Sequence, residues 1–175
     1  MAVQLALMRG INVGGKNRLP MRDLAALFEE AGCSDVRTFI QSGNVIFKPP
    51  KKASRLGEIV AAGIAERYGY RTPVILRTVE QMRDVVKGNP FPGEEERLHV
   101  MFLQDRPHPQ HIGGLDPNRS VPDRFIVRDA EIYLHLPNGA GVSKLTNAWF
   151  DSKLATVGTS RNWRTVTKLL EMMEE

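Results

Sequence analysis

At 175 residues, with 42% apolar and 25% charged side chains, the chain has the make-up of one ordinary globular domain or two small joined ones, which excludes a disordered or low-complexity protein. Its single cysteine, Cys33, excludes a disulfide framework and a thiolate metal cluster, and its place beside Gly32 suits packing. The formal charge of +4 is unevenly spread: residues 1–88 carry 14 Lys and Arg against 8 Asp and Glu, whereas residues 89–175 carry 10 against 12. A net of +6 in the first half favours an anionic partner there. No apolar run approaches the roughly 18 residues of a membrane span, and no secretory leader pattern opens the chain. A soluble, cytoplasmic protein that makes no use of a membrane is expected.

Val3 to Met8 is nearly continuous apolar and reads as a strand buried on both faces. Arg9 to Arg18 is a loop with three glycines, two asparagines and three cations. Pro20 suits a first helical position, and Met21, Leu24, Leu27, Phe28 and Ala31 recur at helical spacing until Gly32. Val36 to Ile40 and Asn44 to Lys48 are short strands around Gln41-Ser42-Gly43. Ser54 is expected to cap a helix ending at Gly69, and Pro73 to Arg77 is a fourth strand. This β-α-β-β-α-β order is the ferredoxin-like unit. Thr78 and Gln81 form a capping box for a further helix ending near Gly88. Asn89 to Glu96, rich in proline, glycine and glutamate, reads as a linker.

Beyond it, Leu98 to Leu103 is an apolar strand and Pro109 to Leu115 a short helix. Phe125 to Arg128 and Glu131 to Leu136 form a hairpin, and Ser143 is expected to cap a helix reaching Ala155. A last helix from Arg161 to Met173 is expected in place of a fourth strand. The expected fold is therefore α+β, with two ferredoxin-like halves: residues 1–88, a linker at 89–96, and residues 97–175 ending in an extra helix. A single mixed sheet with helices on one side is the alternative.

The first loop has the composition of an anion cradle, with Arg9, Asn12, Gly14, Gly15, Lys16 and Asn17 as its candidate contacts. Its G-I-N-V-G-G order matches neither the dinucleotide nor the P-loop glycine pattern. Ser143 and Lys144 follow two glycines at an expected helix start, and Arg161 lies in the expected first turn of the last helix, so these three are secondary candidates. The first loop and the Gln41–Asn44 turn are expected at opposite ends of the sheet, so one pocket using both would need the second half of the chain. His108 and His111 are three apart, with prolines at 107 and 109 and no carboxylate in register, and no metal is expected. No catalytic or cofactor motif appears, so no cofactor is expected and nothing identifies a nucleophile with its base. The first strand has no aromatic and Asn44 to Lys48 only Phe47, which argues against a base-stacking RNA platform.

Leu7 to Asn17, with Pro20-Met21 after it, resembles the opening of an uncharacterised bacterial family (DUF 1697). The resemblance continues at Thr38 to Phe47, Asn89-Pro90-Phe91, Ser143-Lys144-Leu145 and Gly158 to Trp163, spanning nearly the whole chain. Arg164 departs from it, since an asparagine usually follows the tryptophan. The resemblance implies an α+β fold of two ferredoxin-like halves and no established activity.

Three functions are therefore carried forward. The first is a binding protein for a phosphate-bearing partner, a nucleotide or a nucleic-acid backbone. The second is a small transferase or hydrolase using Ser42, or Ser143 and Lys144. The third is a protein-interaction module whose polar loops are structural turns.

Overall fold

The computed structural model describes residues 2–175 and divides the chain into two units, one of residues 1–83 and 169–175, the other of residues 84–168. In the first unit β1 (Gln4–Met8), α1 (Met21–Glu30), β2 (Ser34–Thr38), β3 (Asn44–Lys48), α2 (Leu56–Tyr68) and β4 (Val74–Thr78) follow in order. Their antiparallel sheet runs β2-β3-β1-β4. Alternation along β1 sends Ala6 and Met8 to one face, where they join Leu24, Leu27 and Phe28 of α1, Val60 and Ile64 of α2, and Val45 and Phe47 of β3. Phe47 therefore packs against Phe28 with ring centroids 5.1 Å apart and is fully buried, which removes it as a base-stacking surface. Ser54 does not cap α2. The Leu56 N–H instead donates to the Ala53 carbonyl, so a turn leads into the helix.

Cys33 belongs to this core, and burial pushes its thiol up to about 11. Because the thiolate is the reacting form, Cys33 should resist a thiol reagent at pH 8 in the native protein and react fully in denaturant. Rapid native-state labelling would contradict this placement.

The Thr78–Gln81 box forms as expected at the start of α3 (Val79–Lys87). The Thr78 N–H donates to Gln81 Oε1 at 2.8 Å and the Gln81 N–H to Thr78 Oγ1 at 3.1 Å.

The second unit repeats the topology: β5 (Leu98–Leu103), α4 (Pro109–Gly113), β6 (Arg124–Arg128), β7 (Glu131–His135), α5 (Asn147–Leu154) and β8 (Gly158–Asn162), with sheet order β6-β7-β5-β8. Met101, Leu103, Ile132 and Leu134 pack with Trp149 and Phe150 of α5. The expected missing strand is present. β8 pairs with β5 from Gly158 opposite Leu103 to Asn162 opposite His99, and α6 (Trp163–Met173) follows it. Its buried side chains are those of Thr159 and Arg161, so its burial is carried by polar groups rather than by an apolar alternation. Asn89 to Glu96 falls inside the second unit, where Phe91 is buried and stacks on His135 at 5.5 Å between ring centroids.

Residues 169–175 return to the first unit, where Glu174 pairs with Arg83 and Glu175 with Arg37. Counted by unit, the first carries 13 Lys and Arg against 10 Asp and Glu, so the broad positive bias of the first half shrinks and local charge becomes the relevant quantity.

Tyr133 donates its hydroxyl to the Val85 carbonyl at 2.6 Å, and burial pushes its ionisation up to about 12. The unfolded chain sheds these thiol and phenol protons near their ordinary values of 9.0 and 10.0, before the folded protein does. Stability contributed by the neutral forms is thus complete below pH 9 and falls as pH rises toward 12. The urea midpoint should drop on the alkaline side, with a smaller drop in Tyr133→Phe; a midpoint that is flat to pH 11 would contradict the assignment.

Candidate functional site

β1 ends where β3 begins, with Leu7 opposite Asn44, so the loop after β1 and the turn before β3 share one end of the sheet. The expectation of opposite ends is overturned by this antiparallel pairing, and no contribution from the second half is needed to join the two. The Met8 N–H donates to the Gly43 carbonyl at 2.9 Å. Asn12 completes the joint. Its Nδ2 donates to the carbonyls of Leu19 at 2.9 Å and Gln41 at 2.8 Å, while its Oδ1 accepts the Leu19 N–H at 2.8 Å. One side chain thus ties the start of the loop, its end and the neighbouring turn.

Within the loop the chain doubles back as a miniature hairpin. The Lys16 N–H donates to Val13 at 2.9 Å and the Asn12 N–H to Asn17 at 3.0 Å. Gly14 and Gly15 occupy the two turn positions at φ 56° and 74°, where a side chain would be strained. Asn17 donates its amide to the Gly10 carbonyl at 2.8 Å, and Tyr70 donates its hydroxyl to the Asn17 carbonyl at 3.1 Å. Arg9 is held by its backbone: its N–H donates to Thr72 Oγ1, and the same hydroxyl donates back to the Arg9 carbonyl.

The six first-loop candidates therefore divide by role. Asn12 and Asn17 spend their amides on the frame, and Gly14 and Gly15 make its turn. Lys16 is exposed, as is its neighbour Arg18, and neither has an ion-pair partner among the described residues. Two large apolar residues are exposed on the same joint, Val13 and Ile40. Ile40 sits at φ 50°, a conformation that a β-branched residue adopts only under constraint. Such strain concentrates at binding and switching sites. In the turn, Ser42 Oγ accepts from Asn44 Nδ2 at 3.0 Å, and Asn44 also donates to the Phe39 carbonyl.

The secondary candidates lie in the second unit. Ser143 does not cap α5; its Oγ accepts the Leu145 N–H at 3.0 Å in a local turn, and Thr146 caps the helix by accepting the Trp149 N–H. The three residues between Ser143 and the helix let a serine-type turn form first. Lys144 donates its N–H to Ser120 Oγ, its carbonyl accepts from Arg119 Nε, and its side chain is exposed.

Arg161 lies in β8, not in a helical turn. It is buried, its Nη1 donates to Thr159 Oγ1 at 2.7 Å and to the Ser160 carbonyl at 2.9 Å, and burial lowers its ionisation to about 10. Its counterpart in the first unit went unread in the sequence. Arg77 of β4 sits opposite Leu5 as Arg161 sits opposite Val100, is likewise buried, and donates Nη1 to the preceding carbonyl, Leu76, at 2.9 Å. Two buried arginines at matching positions of the two sheets look like surface polarity in a sequence, because nothing in the local pattern separates them from solvated charge.

The family model "Protein of unknown function (DUF1697)" matches residues 1–133. No curated protein matches the chain at a significant level. Among solved structures, a conserved bacterial protein from Streptococcus pneumoniae is similar over 100% of this chain and 99% of its own, with a TM-score of 0.74 at 19% sequence identity. That likeness bears on the fold: two antiparallel four-stranded sheets with helices, in two ferredoxin-like halves. The chain belongs to the DUF1697 family.

Proposed function

We propose that this DUF1697 protein is a binding module that holds the phosphate backbone of a nucleic acid on the loop end of its first unit. The observation that supports it is the Asn12 joint, which fixes two loops into one rigid tip and leaves Lys16 and Arg18 exposed and unpaired upon it. A pre-ordered loop loses little entropy on binding, so its cations act at nearly full effect. Residues 13–18 are all exposed, a projecting shape that suits contact along a polymer better than enclosure of a free nucleotide.

The test is fluorescence anisotropy with short single-stranded RNA across a salt series. Lys16→Ala with Arg18→Ala should weaken binding and flatten the salt slope by about 1.4 for single strands. Both residues are exposed, so the thermal midpoint should barely move, reflecting at most ~0.5 kcal/mol. Unchanged affinity and slope would sink the proposal. Saturable binding of a mononucleotide, lost in the same variant, would reassign the site to a small phosphate ligand.

A protein partner is the second reading, favoured by the exposure of Val13 and Ile40. If Val13→Ser left RNA binding intact while removing a protein contact, the apolar part of the tip would belong to that partner. The transferase or hydrolase reading gains no support from Ser42 or Ser143, whose hydroxyls each accept an amide N–H within their own turn.

A further inference from the structure

An aromatic side chain is built into the stem of the cationic loop. The carbonyl of Asn17, the residue between Lys16 and Arg18, accepts two donors: the Asn12 N–H at 3.0 Å and the Tyr70 hydroxyl at 3.1 Å. Two residues on, Thr72 Oγ1 accepts the Arg9 N–H at 3.1 Å and donates to the Arg9 carbonyl at 2.6 Å. The segment from Tyr70 to Thr72 therefore runs along the loop. Arg71, between the two anchors, is exposed and has no ion-pair partner among the described residues. Tyr70 is half-buried: it packs on the core of the first unit and beside Tyr68, with ring centroids 6.4 Å apart. Tyr68 in turn donates its hydroxyl to Asp23 of α1 at 2.8 Å. A tyrosine tied at its hydroxyl and packed along one side holds its ring in one place, with little entropy left to lose on binding.

The second unit shows that the scaffold does not require a ring at this place. Thr156 repeats the Thr72 hook: its Oγ1 accepts the Asp105 N–H at 3.2 Å, just before β8, as Thr72 accepts from Arg9 just before β4. The two residues ahead of each threonine differ. They are Tyr70 and Arg71 in the first unit, and Leu154 and Ala155 in the second. Leu154 is buried in the core of its own unit. The same hook is thus reached through a fully buried aliphatic side chain, so packing alone does not call for a half-exposed tyrosine followed by a cation.

We propose that the loop tip takes a single strand rather than a duplex, with phosphates on Lys16, Arg18 and Arg71 and an unpaired base stacked on the exposed side of Tyr70. This rests on the reading of the tip as a phosphate-backbone site. A base inside a duplex is already stacked on both faces and cannot reach a side-chain ring. Every unpaired base has a free π-face, so Tyr70 selects for strandedness and not for sequence.

The full-length protein is titrated, by fluorescence anisotropy, with three probes: a thymidine oligonucleotide of about ten nucleotides, the same strand lacking its bases, and the duplex it forms with its complement. The base-bearing single strand should bind about fivefold or more tighter than the abasic strand. It should also bind tighter than the duplex, although the duplex has the higher charge density. Tyr70→Leu keeps an apolar side chain on the core and should lose that advantage with the salt slope unchanged, because stacking releases no counterions. Tyr70→Phe keeps the ring and should retain most of the affinity. The inference is overturned if the abasic strand or the duplex binds as tightly as the base-bearing strand, or if Tyr70→Leu binds undiminished. It is also overturned if Tyr70→Leu flattens the salt slope as Lys16→Ala with Arg18→Ala does, since Tyr70 would then be only a brace of the loop. In each of these cases the phosphate site itself stands so long as binding still depends on Lys16 and Arg18. Failure of all three probes to bind would remove the phosphate site and this inference together.

Discussion

Gly43→Ala should be among the most damaging single-methyl additions to the first unit. Gly43 lies at φ 86°, and a Cβ there would come within 2.7 Å of both Ile11 Cδ1 and Met8 Cβ. Neither neighbour can withdraw easily, because Met8 and Ile11 are both buried in the core beneath α1 and α2. The left-handed backbone of a non-glycine residue costs about 1–2 kcal/mol, and overpacking a filled core about 1–3 kcal/mol. A loss of about 3 kcal/mol is expected, or roughly 6–12 °C in the thermal midpoint for a chain of this size. The Met8–Gly43 hydrogen bond is the hinge of the site, so the variant should also open the tip. Its amide protection at Met8 should fall together with its RNA affinity. A variant that melts within 2 °C of the parent would mean that the β1–β3 joint is looser than its contacts imply.

How much of this was legible depends on where the apolar periodicity ran. β1, β5 and α1 were read because their buried positions carry Leu, Met, Val and Phe at strand or helix spacing. β8 was missed because Gly-Thr-Ser-Arg-Asn has no apolar residue, and its buried side chains are those of Thr159 and Arg161. Its existence depends on the open edge of β5, a long-range fact that no local window contains. The composition of the first loop could not show how its residues divide their labour. Asparagines that look like ligand groups in a sequence are, in Asn12 and Asn17, the braces of the turn.

The two units share the joint but not its chemistry. In the second unit the Leu103 N–H donates to the Ala130 carbonyl at 2.8 Å, repeating the Met8–Gly43 bond. There the adjoining turn carries Asp129 at φ 50°, and Arg106 stands 3.7 Å from its carboxylate. The Arg is matched by an acidic neighbour, whereas Lys16 and Arg18 in the first unit are not. The same scaffold therefore presents a charge-balanced end in one unit and an unbalanced cationic end in the other. This contrast is why the first loop, and not its counterpart, is assigned the anionic partner.

Asn12→Ala tests whether that assignment depends on rigidity as well as charge. The substitution removes three hydrogen bonds at once and leaves the Leu19 N–H and carbonyl unsatisfied beside a residue that is itself fully buried. It also places alanine at φ 53°, a left-handed conformation that asparagine tolerates and alanine does not. With about 0.5–1.5 kcal/mol for each bond, partly recovered by water at the exposed Gln41 side, a loss of about 2 kcal/mol is expected. Asn12→Gly separates the terms, because it relieves the backbone strain while losing the same bonds, and it should fall between parent and alanine. Asn12→Asp keeps the acceptor for Leu19 but turns a carboxylate toward two carbonyl oxygens. It should be as damaging as alanine at pH 7 and recover in part below about pH 4, where a protonated carboxyl can donate again. If rigidity matters, Asn12→Ala weakens RNA binding even though its side chain is spent inside the frame and Lys16 and Arg18 are untouched. RNA binding that survives Asn12→Ala unchanged, in a protein measurably destabilised by the predicted amount, would separate the two: the cations would then suffice, and the joint would serve the fold alone.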